Sequence, residues 1–487
     1  MELEENYNQS SAIYGTINDN EVDVEGAPDD VQSDPEIQEE KSSSNGNSSD
    51  KKGKGKSKKQ KQPTLGPDGL PIEEVEEEEE EGEEKVLRVR RCATIMNILN
   101  SLLGAGILSV PHSFVYCGII PSLVMLIIIA ILSHIGTVMT MKLARRKEAV
   151  NLDDLAFKIL GKFGSIAISI CSMLFCISCM VGYLVICSNT IISWFEAGGI
   201  AIADKLWKRF ILIIVYGCCF PMAFTLPRNI GFLAPFSYMT FCCICFFILA
   251  ICIKAAQALP YPDELQPNII LGKFDMGVFS AISIYGLAFA LPVVILPLVK
   301  PYNPDLYKRS VVSFSSTLLC FLCVVLPGIL GYLIFGDKTE NIILDNFGSK
   351  DVLIIVVRAA FFIVVSFSYP CIGQSIMASW SSIIWKDSDQ GNLPVLKRVV
   401  VLLFTNIIPG VVAIFLPNAG PALSIGGAFG GCMVDFFFPA LMWIRISKKP
   451  LYHWQNLICM LFALFGLVSA AIATYQAIVD AIRAFSS

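Results

Sequence analysis

The sequence predicts an all-α membrane protein with eleven transmembrane helices, built as two five-helix repeats of inverted topology and preceded by a disordered N-terminal tail. Of the 487 residues, 54% are hydrophobic and 16% are charged, which is too apolar for an ordinary soluble protein. The apolar residues gather into eleven segments, most of them near the ~20 residues needed to cross ~30 Å of hydrocarbon. Glycine and proline interrupt the first and the sixth of these segments.

Residues 1–86 are predicted to be a disordered, acidic, cytosolic tail. The first 87 residues hold 25 acidic and 9 basic side chains, a net charge of −16, whereas the other 400 carry 17 acidic and 28 basic, a net charge of +11. Lysines dominate residues 51–61 and glutamates dominate residues 73–84. A segment of this composition cannot bury enough apolar surface to fold. The tail is also a candidate binding segment for other proteins.

The predicted membrane domain, residues 87–487, contains the eleven apolar segments: 93–114, 119–143, 166–195, 210–226, 232–253, 276–298, 311–335, 352–376, 399–416, 422–444 and 457–482. With the N terminus inside, nineteen lysines and arginines flank the cytosolic ends of these segments and eight flank the opposite ends. The excess of positive charge on cytosolic loops predicts this orientation. An odd number of spans then places the C terminus outside the cell or in a lumen.

Side chains that carry out catalysis are scarce in this domain. The chain has three histidines, and nearly all of its 17 cysteines lie inside apolar segments, where packing or lipid contact is the expected role. The CxxC pairs Cys176/Cys179 and Cys320/Cys323 have no acidic residue or histidine in their segments, so neither zinc nor redox chemistry is expected. We therefore predict that the protein is not an enzyme, needs no cofactor and binds the lipid bilayer rather than nucleic acid.

The first apolar segment is predicted to break in mid-membrane. Gly104 and Gly106 flank Ala105, and Pro111 removes a backbone donor further along. Non-helical backbone at this depth is tolerated only where it lines a cavity or is buried in protein. Amides that begin the second half-helix suit an anion such as a carboxylate, and carbonyls that end the first half suit a cation. The alternative is a small-residue contact that lets two helices approach closely.

The sixth segment is interrupted in the same way, by Gly286, Pro292 and Pro297. Matched breaks in the first and sixth spans are expected of two inverted five-helix repeats that hold a substrate between the broken helices near the midplane. The sequence thus favours a transporter that works by alternating access. The predicted substrate-binding residues are Gly104, Ala105, Gly106, Ile107, Tyr285, Gly286 and Ala288.

Four stretches carry a resemblance to a known family. They are NILNSLLGAGILSVP in the first segment, PMAFTLPRNIGFLAPFS over residues 221–237, GYLIFGDKTENIILDNF over 331–347 and VRAAFFIVVSFSYP over 357–370. Together they resemble the amino acid/auxin permease (AAAP) superfamily and, within it, the sodium-coupled neutral amino acid transporters. The resemblance covers nearly everything after residue 87. It implies the amino acid–polyamine–organocation, or leucine-transporter-like, fold and an amino acid as substrate.

The resemblance also implies a sodium site, and no other metal is expected. Asn100 matches an asparagine associated with the family's sodium site, and Ser366 stands where the family often has threonine. An amide oxygen, hydroxyls at Ser366 and Ser368, and freed carbonyls near Leu103 are the hard ligands that sodium favours. The alternative roles are structural: an interhelical hydrogen bond for Asn100, and bonds from both serines back to the preceding helical turn.

Two features depart from the family pattern. Residues 290–294 read ALPVV where the sodium-coupled members have a His-Pro-Glu-like element. This apolar wall favours a neutral or hydrophobic amino acid, because an unpaired charge there is costly. Asp435 lies near the middle of the tenth segment, where the family pattern has no acid, and is a candidate proton-coupling group.

We therefore expect a symporter of neutral amino acids driven by Na⁺. The first alternative is a proton-coupled transporter of a vacuolar or lysosomal membrane. The second is of another class: an amino acid sensor that signals through its N-terminal tail. The expected location is the plasma membrane or a vacuolar or endolysosomal membrane.

Overall fold

The computed structural model describes residues 72–73, 88–104, 106–200, 206–226, 234–258, 268–385, 393–416 and 418–486. Apart from residues 72 and 73, the predicted disordered tail lies outside the described residues. Two short strands, β1 (Ile72–Glu73) and β2 (Arg88–Val89), pair antiparallel just before the first helix. All other regular structure in the described residues is helical.

Seven helices make up the first part of the membrane domain: α1 (Arg91–Leu102), α2 (Gly106–Cys117), α3 (Ile119–Arg146), α4 (Leu152–Ala197), α5 (Leu206–Cys219), α6 (Pro221–Thr225) and α7 (Ala234–Ala258). The second part adds α8 (Gly277–Ala288), α9 (Ile295–Val299), α10 (Leu306–Phe335), α11 (Val352–Trp385), α12 (Val395–Phe415), α13 (Gly420–Gly426), α14 (Phe438–Ile446) and α15 (Trp454–Ser486). Two 3₁₀ turns, Gly336–Lys338 and Ile343–Asn346, connect α10 to α11, and a π-helical segment, Gly427–Phe437, joins α13 to α14.

Helices occupy every one of the eleven apolar segments. In the described residues, eight helical stretches are long and apolar enough to cross a membrane, and α1 with α2 makes a ninth when the pair is counted as one span bent by 53°. Shorter apolar helices occur in the fourth segment and in the sixth. The prediction of an all-helical membrane fold is confirmed, whereas the count of eleven spans stays a prediction.

Burial separates central helices from lipid-facing ones. In α4, 83% of the most apolar stretch is inside the protein, against 22% in α15. Large apolar side chains such as Ile131 on α3, Leu403 on α12 and Leu464 on α15 are exposed, as expected of surfaces that contact acyl chains. Helices α2 and α8 pack against each other at the centre, α8 packs on the π-helical segment, and that segment also contacts α4.

Glycines allow the central helices to approach one another closely. Gly427 and Gly431, four residues apart on one face of the π-helical segment, meet α8. A Cβ built on Gly427 would lie 1.8 Å from the Ser283 carbonyl oxygen, and one on Gly431 would lie 2.4 Å from the backbone of Gly286. Backbone therefore packs against backbone, which only glycine permits at these distances.

Candidate functional site

The first span is broken where the sequence predicts it. Helix α1 ends at Leu102, and Leu103 closes it by donating its amide to the Leu99 carbonyl at 2.8 Å. Helix α2 begins at Gly106 at an angle of 53° to α1. Ala105, a predicted substrate residue, lies outside the described residues. The first amides of α2 lack partners within the helix, so they present donors at this depth, where a carboxylate would be stabilised.

A tyrosine from α4 closes the first break. A Cβ placed on Gly104 would lie 1.9 Å from the Tyr183 hydroxyl oxygen, so this hydroxyl sits directly against the Gly104 backbone. Tyr183 is 3% exposed. Sequence reasoning missed it, because a tyrosine within an apolar segment gives no sign of which helix it faces.

The second break lies against the first. Helix α8 ends at Ala288, and residues 289–294 form turns before α9 begins at Ile295. A Cβ on Gly106 would lie 3.2 Å from the Ala288 Cα, so the start of α2 packs on the end of α8. Ile107 and Ala288 are both buried. The structure therefore brings predicted residues from both broken spans into direct contact.

Side chains from neighbouring helices bind the carbonyls that α8 leaves free at its end. Cys320 of α10 donates its thiol to the Ala288 carbonyl, with a sulfur-to-oxygen distance of 3.6 Å. Ser133 of α3 donates to the Phe289 carbonyl at 2.5 Å. These bonds replace the helical hydrogen bonds that the break removes.

Asp435 extends this hydrogen-bonded chain. It lies in the π-helical segment, is fully buried, and has its Oδ2 atom 3.1 Å from the Ser133 hydroxyl oxygen. Its Oδ1 atom has no hydrogen-bond partner among the described residues. A single hydroxyl proton on Ser133 cannot serve both the Phe289 carbonyl and a carboxylate fully. A protonated Asp435 that donates to Ser133, which donates to Phe289, supplies each of these two hydrogen bonds with its own proton.

Asn100 forms the centre of a second polar cluster. Its Oδ1 atom accepts from the Thr240 hydroxyl of α7 at 2.9 Å and from the Ser368 hydroxyl of α11 at 3.3 Å. All three side chains are buried. Three neutral oxygens from three different helices thus converge half a turn before the first break. Thr240 was not predicted, because nothing in its own segment distinguishes it from a hydroxyl that bonds its own helix.

The two predicted serines of α11 lie in different surroundings. Ser366 donates to the Phe362 carbonyl of its own helix at 2.6 Å, and its oxygen lies 3.0 Å from the Tyr216 hydroxyl oxygen. Residues two apart on a helix differ by about 200° in direction. Ser368 consequently faces Asn100, and Ser366 faces α5. The structure joins Asn100 to Ser368 and not to Ser366.

Tyr285 and Gly286 lie in the last turn of α8, where each is in contact with a neighbouring helix. Tyr285 is fully buried, and its hydroxyl lies near the hydroxyls of Ser113 on α2 and Ser122 on α3. Gly286 is in contact with Gly431, as described above. Contact of these two residues with a substrate stays a prediction.

Comparison with known proteins places the chain in a family. The family described as "Transmembrane amino acid transporter protein" matches residues 91–479. The chain belongs to this family. The suspected AAAP relationship is thereby confirmed. The family is described as one of transporters, as expected of a protein that is not an enzyme, and family and apolar helices together make the chain a membrane protein that crosses the bilayer several times.

Individual relatives are distant in sequence. A Xenopus laevis protein, provisionally named sodium-coupled neutral amino acid transporter 10, is 23% identical over 371 residues, which is 73% of this chain and 35% of that protein. The chain thus spans about a third of that relative's length. Amino acid transporter AVT6C of Arabidopsis thaliana is 25% identical over 403 residues, covering 78% of this chain and 91% of the relative. A solved structure, MhsT in complex with L-phenylalanine, aligns at 14% identity with a TM-score of 0.49, covering 80% of this chain and 98% of that one.

Proposed function

We propose that this protein is a secondary active transporter of neutral amino acids that binds its substrate between the two helix breaks and is driven by a cation gradient. The observation that carries the proposal is the contact between Gly106 at the start of α2 and Ala288 at the end of α8. The first amides of α2, which lack helical partners, match the carboxylate of an amino acid. The carbonyls at the end of α8 already accept from Cys320 and Ser133, and each keeps a second lone pair for the ammonium group.

A neutral side chain fits the surroundings of the second break. Phe289, Ala290 and Leu291 are each 2% exposed or less. A charged substrate side chain would lose its hydration against these three apolar side chains. Because Tyr183 fills the space beside Gly104, the substrate enters only when this tyrosine moves, which makes Tyr183 a candidate gate.

Sodium is the coupling ion that the Asn100 cluster supports. The hydroxyl hydrogens of Thr240 and Ser368 can rotate, so that all three oxygens turn lone pairs to one cation. The cluster links α1, α7 and α11, so a bound cation would hold the inner half of the first span against two other helices. Binding of the cation at this cluster would thus be coupled to the position of α1.

Protons are a second candidate, and the position of Asp435 favours them. Its carboxyl is buried without a basic partner within 4 Å in the described residues, and it is linked through Ser133 to the Phe289 carbonyl. Loss of its proton would put a charge beside the second break and disturb that hydrogen bond. Protonation could thereby be coupled to the shape of the substrate site.

Uptake into proteoliposomes tests the proposal. The full-length protein is reconstituted, and uptake of labelled L-phenylalanine, L-alanine, L-lysine and L-glutamate is measured with a sodium gradient, a pH gradient or neither. We expect uptake of the two neutral amino acids and acceleration by sodium. Acceleration by the pH gradient alone would favour protons as the coupling ion, with Asp435 as the candidate group. Binding without uptake under any gradient would instead favour the sensor and contradict a transporter.

The two serines of α11 provide a matched pair of variants for the coupling ion. Ser368→Ala removes a hydroxyl that contacts Asn100, whereas Ser366→Ala removes one that faces Tyr216. If sodium binds the cluster, Ser368→Ala raises the sodium concentration for half-maximal uptake about tenfold, as the loss of one ligand implies, and Ser366→Ala leaves it within twofold. Equal effects of the two variants would argue against this placement.

A further inference from the structure

Two adjoining hollows open at the end of the bundle that the sequence places in the cytosol. The first has a volume of about 440 Å³ and lies between the ends of α3 and α14; its polar lining is Lys142, Arg146, Ser447, Lys448, Lys449 and Gln455. The second has a volume of about 470 Å³ and reaches the start of α4; its basic residues are Arg146, Lys147, Lys158, Arg445 and Lys448. Arg146 and Lys448 line both.

The charge in these hollows is largely uncompensated. No aspartate or glutamate lines either one. Lys158 forms a salt bridge of 3.0 Å with Asp154. In the part of the chain that the structure describes, Arg146, Arg445 and Lys448 have no carboxylate within 4 Å. Like charges held this close repel one another, so the arrangement is costly until an anion joins it.

Two general effects put positive charge here, but they do not explain the hollows. Helix C-termini favour cations, and both α3 and α14 end at this surface. Cytosolic loops also favour lysine and arginine. Either effect is satisfied by cations spread over a convex surface. Here cations from three helices and two connections converge on a concave surface of the size of a ligand pocket, roughly 300–1,000 Å³.

The hollows lie at the depth of lipid headgroups. Trp443 lines the first hollow. Within five residues after Lys449 come Leu451, Tyr452 and Trp454, which are 58%, 95% and 62% exposed, and they lead into the lipid-facing helix α15. Aromatic residues of this kind collect at the membrane–water interface. An anion whose tails run along α15 could thus reach the basic residues without leaving the membrane.

We propose that the two hollows bind the headgroup of an anionic lipid that carries several phosphates, of the phosphoinositide class. Arg146 and Lys448, shared by both hollows, contact the phosphates, because guanidinium forms paired hydrogen bonds to phosphate oxygens and the lysine ammonium adds a compact charge. Basic pockets between transmembrane helices on the cytosolic side suit such headgroups. A single phosphate would occupy one hollow and leave the other uncompensated.

The glutamates of residues 73–84 are the competing occupant, since they belong to the same chain and carry the opposite charge. The aromatic residues and the exposed apolar helix beside the hollows favour a lipid, because a peptide gains nothing from that apolar surface. The experiment must therefore separate a lipid, a soluble phosphate and the tail.

Native mass spectrometry of the full-length protein in detergent makes this separation. The probes are dioctanoyl phosphatidylinositol bisphosphate, dioctanoyl phosphatidylserine and inositol trisphosphate. The test variant is Arg146→Gln with Lys448→Gln. The control is Lys300→Gln with Lys308→Gln, which removes two exposed charges predicted on the same side of the membrane but outside the hollows. A tail variant replaces the glutamates of residues 76–81 by glutamine.

We expect the bisphosphate lipid to bind the unmodified chain more tightly than phosphatidylserine does. The test variant should bind the bisphosphate lipid at least about tenfold more weakly than the unmodified chain does, and the affinity of the control variant should stay within twofold. Equal binding by the test variant and the unmodified chain would overturn the site. Equally tight binding of inositol trisphosphate would overturn the lipid in favour of a soluble phosphate. Lipid binding that emerges only in the tail variant would show that the glutamates occupy the hollows and would also overturn the proposal.

Discussion

The two helix breaks at the centre of the molecule differ in what surrounds them. The first is short, lies between α1 and α2, and has side-chain atoms of Tyr183 against Gly104. The second spans residues 289–294, and hydrogen bonds from Cys320 and Ser133 hold the carbonyls at its start. Helix α8, which leads into it, packs backbone to backbone on the π-helical segment through Gly427 and Gly431.

This difference indicates which break can move. A side chain such as that of Tyr183 can change rotamer, whereas two backbones in contact separate only when whole helices move apart. We infer that α8 and the π-helical segment form a fixed frame and that the first break is the mobile partner in the transport cycle. Substitutions at the second break should then reduce stability, and those at the first should reduce affinity.

The largest loss of stability is expected from a substitution in the fixed frame. In Gly427→Ala the new methyl group meets the Ser283 carbonyl oxygen, and neither backbone can yield locally. Overpacking costs about 1–3 kcal/mol in ordinary cores and more where backbone is in the way. We therefore expect the free energy of unfolding to fall by about 3 kcal/mol or more and the protein to fold poorly. The measurement is thermal unfolding of the purified protein in detergent.

Gly410→Ala on α12 is the matched control, because a Cβ there meets nothing within 4 Å. It should unfold at the temperature of the unmodified protein or slightly above it. Similar unfolding temperatures for Gly427→Ala and Gly410→Ala would contradict the fixed frame.

Gly106→Leu tests the first break, which we infer to be the mobile one. The protein should fold and reach its membrane, but the added side chain crowds the first amides of α2 against Ala288. We expect substrate affinity to fall by at least about 100-fold, equivalent to roughly 3 kcal/mol. Equilibrium binding of labelled L-phenylalanine to the purified variant measures this. Unchanged affinity in a correctly localised variant would refute the placement of the substrate.

Ser133→Ala tests the hydrogen bond at the second break. It removes the donor to the Phe289 carbonyl and the partner of Asp435, and a buried polar group left unpaired costs about 1–3 kcal/mol. Ser315→Ala is the control and should cost little, because among the described residues this hydroxyl bonds only its own helix. Thermal unfolding compares the two. If the two variants destabilise the protein equally, Ser133 does not hold the Phe289 carbonyl.

The smallest effect is expected from Gly104→Ala combined with Tyr183→Phe. The methyl group alone displaces the Tyr183 hydroxyl and should weaken substrate binding about tenfold, or roughly 1.4 kcal/mol. Removing the hydroxyl relieves the closest contact, so the double variant should bind more tightly than the sum of the single effects predicts. Additive losses would show that Tyr183 and Gly104 act independently and would remove Tyr183 as a gate.

Much of this architecture is readable from the sequence. Long apolar segments must form helices, because lipid offers no partners for backbone groups. Gly104, Gly106 and Pro292 mark the two breaks, since these residue types weaken a helix wherever they stand. The polar residues Asn100 and Asp435 stand out against their apolar segments for the same local reason, and these features suffice for the fold class and for the two places where the substrate is expected.

The partners of those residues were decided only by the tertiary structure. Asn100 meets Thr240 and Ser368, which are 140 and 268 positions away, and Asp435 meets Ser133 across 302 positions. In a soluble helix the alternation of polar and apolar residues shows which face is buried. In a membrane helix both the lipid and the protein interior are apolar, so the pattern does not fix the rotation of the helix about its axis. Ser366 and Ser368 are alike in sequence, and the packing of α11 alone turns the second of them toward Asn100.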